Sequence, residues 1–372
     1  MAEVSYQLKI DGREAPLEVI DAVQRLEVEE HASLASIMRL TFAIAVAQGG
    51  SRWTVIDDDL FPRLAEVALS IKRGSGDPEP VLTGYVIEAK AVFGEEPGAS
   101  TLDVLAMDAS VLMNLEERVR AWPNVADSDI AESIFGDYDL SPVVDTTQPT
   151  RQEDDVVPIQ RGTDMQYLRW LAERNGFDVF VASGASGVEG HFHAPKLDDP
   201  PQGVLTVGFG GASNVPNLTI TRDALRPTKA RAEQLEAESQ ESHSGEAETV
   251  SLKDLGGKSV LAEDRQRATL LARTGLVDAA ELQTYAQGVV DRSSWAIRAE
   301  GELVTDQYDG ILRARKPVSV RGVGRTLSGT YYVERALHAF TPEGYTQQFT
   351  LRRNALTLSG QEDFSESEAL AS

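Results

Sequence analysis

Two histidines separated by one residue, His191 and His193 in the stretch HFH, have the spacing that best fits a chemical site. Residues two apart on a strand point to the same side, so both imidazoles could contact one metal ion. A zinc site takes about four ligands, and the neighbouring sequence offers no third. An ordinary strand or loop is therefore the favoured interpretation of this stretch, and a metal site is the weaker one.

Three other stretches match known sites only in part. Residues 57–59 (DDD) lack the alternating ligands and the glycine of a calcium-binding loop, which favours a solvated turn. Residues 208–211 (GFGG) follow a strand-like run, but residues 214–217 (NVPN) would break the helix that a dinucleotide loop requires, so a turn is again favoured. Paired carboxylates such as Glu153 and Asp154 are common in an acidic chain and select no chemistry.

The sequence contains no other pattern typical of a catalytic or cofactor site. It has no P-loop, no Gly-x-Ser-x-Gly, no His-Glu-x-x-His and no cysteine. His338 lies in a repeated strand where the first copy has Ala91 or Val92, so it need not serve catalysis. We therefore expect no catalytic, cofactor-binding or metal-binding residue, and no enzymatic activity.

Composition excludes several classes of protein. The chain has 372 residues, long enough for two or three domains, and 41% of them are hydrophobic. Its 59 acidic and 35 basic residues give a net charge of −24, which argues against a nucleic-acid or anionic-membrane surface. The first twenty residues lack a signal-peptide pattern, and no apolar run approaches the roughly 20 residues of a membrane span, so we expect synthesis in the cytoplasm.

One sequence pattern typical of paired strands occurs twice in the chain, at residues 67–93 and 318–340. In each copy a valine-rich run ends in a basic residue and glycine. After a loop, a second apolar run begins at Gly84 or Gly329 and ends at a phenylalanine. Because glycine in a strand usually marks a bulge or a close backbone approach, we expect these two glycines to be equivalent. The short alternating runs predict a β-domain near each end of the chain.

Helical periodicity appears between the two copies. DSDIAESIFG predicts a helix capped by Asp127 or Ser128 and stopped at Gly136. Residues 163–176 (TDMQYLRWLAERNG) begin with a capping box, carry an apolar stripe and end in glycine, which predicts a second helix. A third helix is predicted near residues 278–292.

Four phrases, in this order along the chain, resemble the baseplate hub family of contractile phage tails and phage-tail-like injection systems, also called the late control protein D family. They are LTGYVIEAKAVF with STLDVLAMDASVLM, RVRAWPNVADSDIAESIFG, DMQYLRWLAERNGFDVFV, and SGTYYVERALHAFTPEGYTQQFTLRRNA. The resemblance covers nearly the whole chain. It implies a mainly β (α+β) fold of two tube-like β-barrel domains with an inserted small α/β domain.

The residues and the resemblance together predict the following boundaries. They are 1–112 for the first barrel, possibly completed by 204–222; 113–203 for the inserted α/β domain; 223–250 for an acidic linker or helix; 251–356 for the second barrel with its helix near 278–292; and 357–372 for a polar tail.

As a baseplate hub, the chain is expected to adapt a sixfold inner tube to a threefold spike and to nucleate tube assembly. The resemblance implies a homotrimer that contacts the inner tube protein or a tube-initiator ring, a separate spike protein and other baseplate proteins. Spike proteins of type VI secretion continue past such a hub, whereas this chain ends soon after Asn354, so we expect the spike to be a separate polypeptide.

Two other classes of function stay open from the sequence. One is a peptidoglycan-cleaving or other enzymatic tail component, which the lack of a convergent acid, base or nucleophile set disfavours. The other is a generic β-barrel binding module, for which barrel strands alone would suffice. Within the hub interpretation, a phage tail, a bacteriocin and an effector-delivering particle are equally compatible with the residues.

Overall fold

The computed structural model describes residues 4–47, 50, 52–96, 98–148, 150, 157–184, 187–208, 210–235, 242–262, 265–272, 276, 279–362 and 364. Within these residues strands predominate and most pairs are antiparallel, which confirms the mainly β fold class. None of the helices in the described ranges has the length and apolar character needed to cross a membrane.

Strands make up most of the regular structure up to residue 108. The elements there are β1 Val4–Ile10, β2 Arg13–Glu14, α1 Leu17–Asp21, β3 Val23–His31, β4 Ile37–Ala43, β5 Glu66–Arg73, β6 Glu79–Val92 and β7 Thr101–Asp108. The middle elements are β8 Glu117–Ala121, α2 Asp127–Asp137, β9 Ser141–Val144, β10 Ile159–Thr163, α3 Asp164–Asn175, β11 Asp178–Gly184 and β12 Gly187–His193.

The remaining elements follow from residue 204. They are β13 Val204–Thr206, β14 Leu218–Arg222, β15 Thr228–Leu235, β16 Ser242–Ala247, β17 Lys258–Ser259, β18 Arg267–Ala272, α4 Ala279–Ser293, β19 Ile297–Leu303, β20 Pro317–Arg321, α5 Gly324–Leu327, β21 Gly329–Thr341, β22 Gly344–Arg353 and β23 Ala355–Leu356.

Both copies of the repeat belong to one hydrogen-bonded sheet of 13 strands. The strands of the first copy follow the order β3-β4-β7-β6-β5-β1, and those of the second follow β14-β19-β22-β21-β20-β13. We call these two sets the first and the second β-unit. They meet where residues 335–340 of β21 pair antiparallel with residues 26–31 of β3. The two predicted barrels are thus joined edge to edge in a single sheet.

The internal repeat is present in the strand register as well as in the strand order. A bulge interrupts the pairing of β6 with β7 at Ile87, and an equivalent bulge interrupts the pairing of β21 with β22 at Glu334. The predicted equivalence of the two glycines is wrong, however. Gly84 lies inside β6 opposite Val67, whereas Gly329 is the first residue of β21 and has a φ of 140°.

Each β-unit surrounds its own hydrophobic core. Alternate residues of β3, such as Leu26 and Val28, are fully buried, and the residues between them lie on the opposite face of the sheet. The first core is built from the first β-unit and includes one residue of the second copy, Phe340. The second core is built from residues between Leu205 and Leu356. The period-two pattern therefore sets both cores.

Residues 109–193, here called the insert, form a third core from α2, α3 and the strands around them. The capping box at the start of α3 is confirmed, because Thr163 Oγ1 accepts a hydrogen bond from the Gln166 amide at 3.2 Å and Gly176 ends the helix in the left-handed conformation. The predicted ends of α2 are wrong. Its cap is Ala126, whose amide donates to Asp129 at 2.9 Å, and helical backbone continues through Gly136.

Residues 228–235 and 242–247 are strands rather than the linker or helix predicted for 223–250. Ala230, Ala232 and Ala247 point inward and pack against α4 in a fourth core. Alanine gives little contrast with polar neighbours, so the period-two signal is weak in the sequence. With β18 these strands form a three-stranded sheet, so β18 and α4 lie outside the predicted second barrel of 251–356.

Residues 204–222 complete the second β-unit, so the suggestion that they complete the first is wrong. β13 runs parallel to β20, and β14 runs antiparallel to β19. Leu205 of β13 is fully buried in the second core. Of the predicted polar tail, residues 357–362 and 364 are described and form neither helix nor strand.

We expect Gly84→Ala to lower stability, because a Cβ there would lie 2.8 Å from the carbonyl carbon of Met107 in the paired strand. Forcing the two strands apart should cost about 1–3 kcal/mol, measured by chemical denaturation. The matched control is Gly136→Ala in α2, where a Cβ meets nothing within 4 Å. That control should be neutral or stabilising by up to about 1 kcal/mol. Equal unfolding midpoints for the two variants would contradict the tight strand contact.

Candidate assembly surface

The two histidines of the HFH stretch lie side by side on β12 and contact each other. His191 Nδ1 is 3.1 Å from His193 Nε2, and His191 Nε2 is 3.2 Å from a carboxylate oxygen of Glu189. His193 Nδ1 is 2.8 Å from the carbonyl oxygen of Ala194. Within the described residues, no group of three or more His, Cys, Asp or Glu side chains is arranged to hold a metal ion. The ring nitrogens are thus engaged with each other and with their neighbours.

A cavity of about 400 Å³ lies beside the histidines, between the insert and the two β-units. Its wall includes Phe180, whose ring stacks on His191 at 4.4 Å and on the guanidinium of Arg315 at 4.1 Å. It also includes Glu30 of β3, which accepts two hydrogen bonds of 2.9 Å from Arg313. The charged groups at this wall hold the insert and both β-units together.

Burial keeps the histidine pair neutral. It lowers the pKa of His191 to about 3, with smaller contributions from the neighbouring His193 and Arg315. Burial also lowers the pKa of His193, although the carbonyl of Ala194 partly opposes this. Neutral imidazoles at pH 7 fit a packed joint between domains.

The other candidate residues are not brought together with the histidine pair. His338 of β21 is fully buried and lies 2.6 Å from the hydroxyl of Tyr345. Residues 57–59 form a turn in which the carboxylate of Asp57 accepts a hydrogen bond of 2.6 Å from the Trp53 amide. The predicted turn is therefore confirmed. At the GFGG stretch, Gly210–Ala212 is a short 3₁₀ turn and starts no longer helix. Glu153 and Asp154 lie outside the described residues.

The buried charges were not predicted from the sequence. Glu30 occupies the inward position that follows Leu26 and Val28, and an acidic residue at such a position is a detectable signal of a buried ion pair. Burial raises the pKa of Glu30, but the charges of Arg313 and Arg315 outweigh burial and hold the pKa below its usual value. Both arginines come from the loop before β20, so this acid ties the first β-unit to the second.

The face of the large sheet that points away from the two cores carries charges of both signs; we call it the polar face. Side chains of opposite charge lie across from each other on neighbouring strands. Glu27 lies opposite Arg39, and Lys90 lies opposite Asp103. On β3, β4, β6, β7, β19 and β21 its acidic residues are Glu27, Glu29, Glu88, Asp103, Glu300 and Glu302, and its basic residues are Arg25, Arg39, Lys90, Arg298 and Arg335. The acidic excess of the chain therefore lies elsewhere.

Several strand edges of the large sheet pair with no other strand in the described part of the chain, and two of them lie on β14 and β6. β14 pairs only with β19, and the last part of β6, residues 87–92, pairs only with β7. Ile87, Val92 and the following Phe93 are exposed at the second edge. Open strand edges with apolar side chains are suited to pairing with another chain.

Comparison with known proteins gives one family and several structures. The family model described as the Alg8 N-terminal domain matches residues 1–341. No curated protein matches the sequence.

Three solved structures are similar in fold across most of the chain. A tail protein from Neisseria meningitidis has a TM-score of 0.67 at 12% identity, covering 95% of this chain and 97% of that one. A prophage tail protein from Shewanella oneidensis has a TM-score of 0.65 at 14% identity, covering 95% and 100%.

The third is an E. coli component of the type VI secretion system, described as similar to bacteriophage tail proteins. It has a TM-score of 0.58 at 13% identity, covering 93% of this chain and 76% of that one. At these identities the similarity is one of fold.

As the pH is lowered, we expect the free energy of unfolding to decrease less steeply in a His191→Gln variant than in the original chain. The folded pKa of about 3 lies below the ordinary value of 6.5, so the unfolded state takes up the proton first as the pH falls. Each histidine of this kind lowers the free energy of unfolding by about 1.4 kcal/mol for every pH unit below about pH 6.5. Denaturation between pH 7.5 and about pH 5, where most carboxylates stay ionised, measures the slope. Identical slopes would show that His191 is not held neutral.

Proposed function

The chain belongs to the family described as the Alg8 N-terminal domain, and from its fold we propose that it is the structural baseplate hub of a phage-tail-like contractile machine. In this role it adapts a sixfold inner tube to a threefold spike and nucleates the tube. The similar solved structures of tail proteins and of a type VI secretion component support this proposal.

The observation that carries the proposal is the joining of two equivalent β-units through β3 and β21. A single chain thereby presents two similar units side by side, with the same strand order and a bulge at the same place. Three copies around one axis supply six such units, while the insert occurs once per copy and keeps the threefold symmetry. A ring of this kind matches a sixfold partner on one side and a threefold partner on the other.

The proposed partners are those that the resemblance to the baseplate hub family implies. The six β-units contact the first ring of the inner tube protein or a tube-initiator ring, and a separate spike protein binds on the threefold side. Other baseplate proteins surround the hub. The chain then acts as part of the baseplate of an assembled particle.

The oligomeric state tests the proposal directly. Light scattering across a concentration series should give the mass of a trimer, and end-on electron microscopy should show six similar lobes around a central hole. A chain that stays a monomer when mixed with its cognate spike protein, or that forms a twofold dimer, would overturn the hub proposal.

We also propose that the chain is not an enzyme. The purified protein should not clear a suspension of purified peptidoglycan, because the ring nitrogens of His191 and His193 contact each other, Glu189 and Ala194, and no set of three metal-ligating side chains surrounds them in the described residues. Lysozyme on the same suspension provides the positive control. Clearing by the chain that is lost in His191→Ala or His193→Ala would contradict this expectation.

A further inference from the structure

We propose that the open edge of β6 in one copy pairs antiparallel with the open edge of β14 in the next copy. This inference rests on the proposed hub function, because it names the surface through which the copies of the ring meet. The partner is a second copy of this chain, and the contact continues the large sheet from one copy into the next.

The template for this contact lies within the chain itself. β21 of the second β-unit is covered at residues 335–340 by β3 of the first β-unit. In the strand order, β6 is the equivalent of β21, and β14 is the equivalent of β3. The equivalent edge of β6 is open in the described residues, and so is the outer edge of β14. The pairing of β21 with β3 is made inside the chain, whereas both edges needed for the equivalent pairing of β6 with β14 are open.

The bulges fix which residues correspond. Aligning the bulge at Ile87 with the bulge at Glu334 makes Glu88 the equivalent of Arg335 and Phe93 the equivalent of Phe340. The same alignment, carried through the neighbouring strands, makes Leu218 of β14 the equivalent of Leu26 of β3.

The register inside the chain then predicts the register between copies. Phe340 lies opposite Leu26, and Leu337 lies opposite Glu29. The corresponding pairs between copies are Phe93 with Leu218, Val92 with Thr219, Ala91 with Ile220, Lys90 with Thr221, and Ala89 with Arg222.

The apolar side chains fit this register. Phe340 is 9% exposed and belongs to the core of the neighbouring first β-unit, where its ring lies 5.0 Å from Tyr6. Its equivalent Phe93 is 59% exposed. In the predicted register Phe93 reaches the second core of the next copy beside Leu218, which packs at the margin of that core. The contact thus buries an aromatic side chain that is exposed in the single chain.

The contact joins two different surfaces, so it is head-to-tail, and it forms a closed ring of three when successive copies are rotated by one third of a turn. Each copy uses its β6 edge toward one neighbour and its β14 edge toward the other. In a closed ring of three copies neither edge remains open, which removes two sites for uncontrolled strand pairing.

Cysteine pairs test the register, and the chain contains no cysteine of its own. One variant combines Lys90→Cys with Thr221→Cys, and a second combines Ala91→Cys with Ile220→Cys. Adjacent cross-strand positions alternate between wide and narrow pairs, so one of the two variants has the spacing that a disulfide requires. Leu337→Cys with Glu29→Cys is the matched intramolecular control for the first variant. Lys90→Cys with Thr219→Cys is the control for register.

The expected result is a covalent trimer on a non-reducing gel for at least one of the two variants, with a weaker band or none for the register control. Neither Lys90→Cys alone nor Thr221→Cys alone should cross-link, while a mixture of the two single variants should give a covalent dimer. Phe93→Asp should shift the chain toward the monomer, whereas Val119→Asp, at an exposed apolar residue of β8 in the insert, should not.

Each contrary outcome identifies what fails. A trimer by light scattering without any disulfide between copies would overturn this edge contact and leave the hub proposal standing. A monomer at every concentration, also when mixed with the cognate spike protein, would overturn both. A disulfide-linked dimer from either single variant would mean a twofold contact and would also overturn the proposed pairing.

Discussion

The pairing of β3 with β21 is the interaction on which the rest of the structure depends. It turns two β-units into one sheet and fixes their relative position by backbone hydrogen bonds. Beneath it, the carboxylate of Glu30 is buried and held by both nitrogens of the Arg313 fork. A buried acid is tolerated only when it is paired, so the two β-units cannot separate without exposing or stranding this charge.

Features with strong local signals could be predicted from the sequence. The repeat was detectable because large apolar residues alternate in both copies, and α3 was detectable because its cap, stripe and terminal glycine agree. The strands of residues 228–235 and 242–247 were missed because their inward residues are mainly alanine. The placement of β13 and β14 with the second copy depends on pairing between distant strands, which local periodicity does not encode.

The side chains that could take part in chemistry were likewise predicted only in part. The spacing of His191 and His193 correctly indicated one face of a strand, but only the fold brings His191 against Phe180 and makes the pair neutral. Arg353 gave no signal, although it is fully buried and donates hydrogen bonds to the carbonyl oxygens of Leu255, Leu327, Ser328 and Thr357. Its partners come from three separate segments, so its role exists only in the folded chain.

The polar face has a consequence for how the surface acts at a distance. Because acidic and basic side chains alternate across neighbouring strands, as Lys90 and Asp103 do, their fields largely cancel beyond one Debye length, about 8 Å at physiological salt. A polymer of either sign moving along this face would be neither retained nor repelled over longer distances. Its mobility there would depend little on ionic strength, unlike its behaviour beside the acidic remainder of the surface.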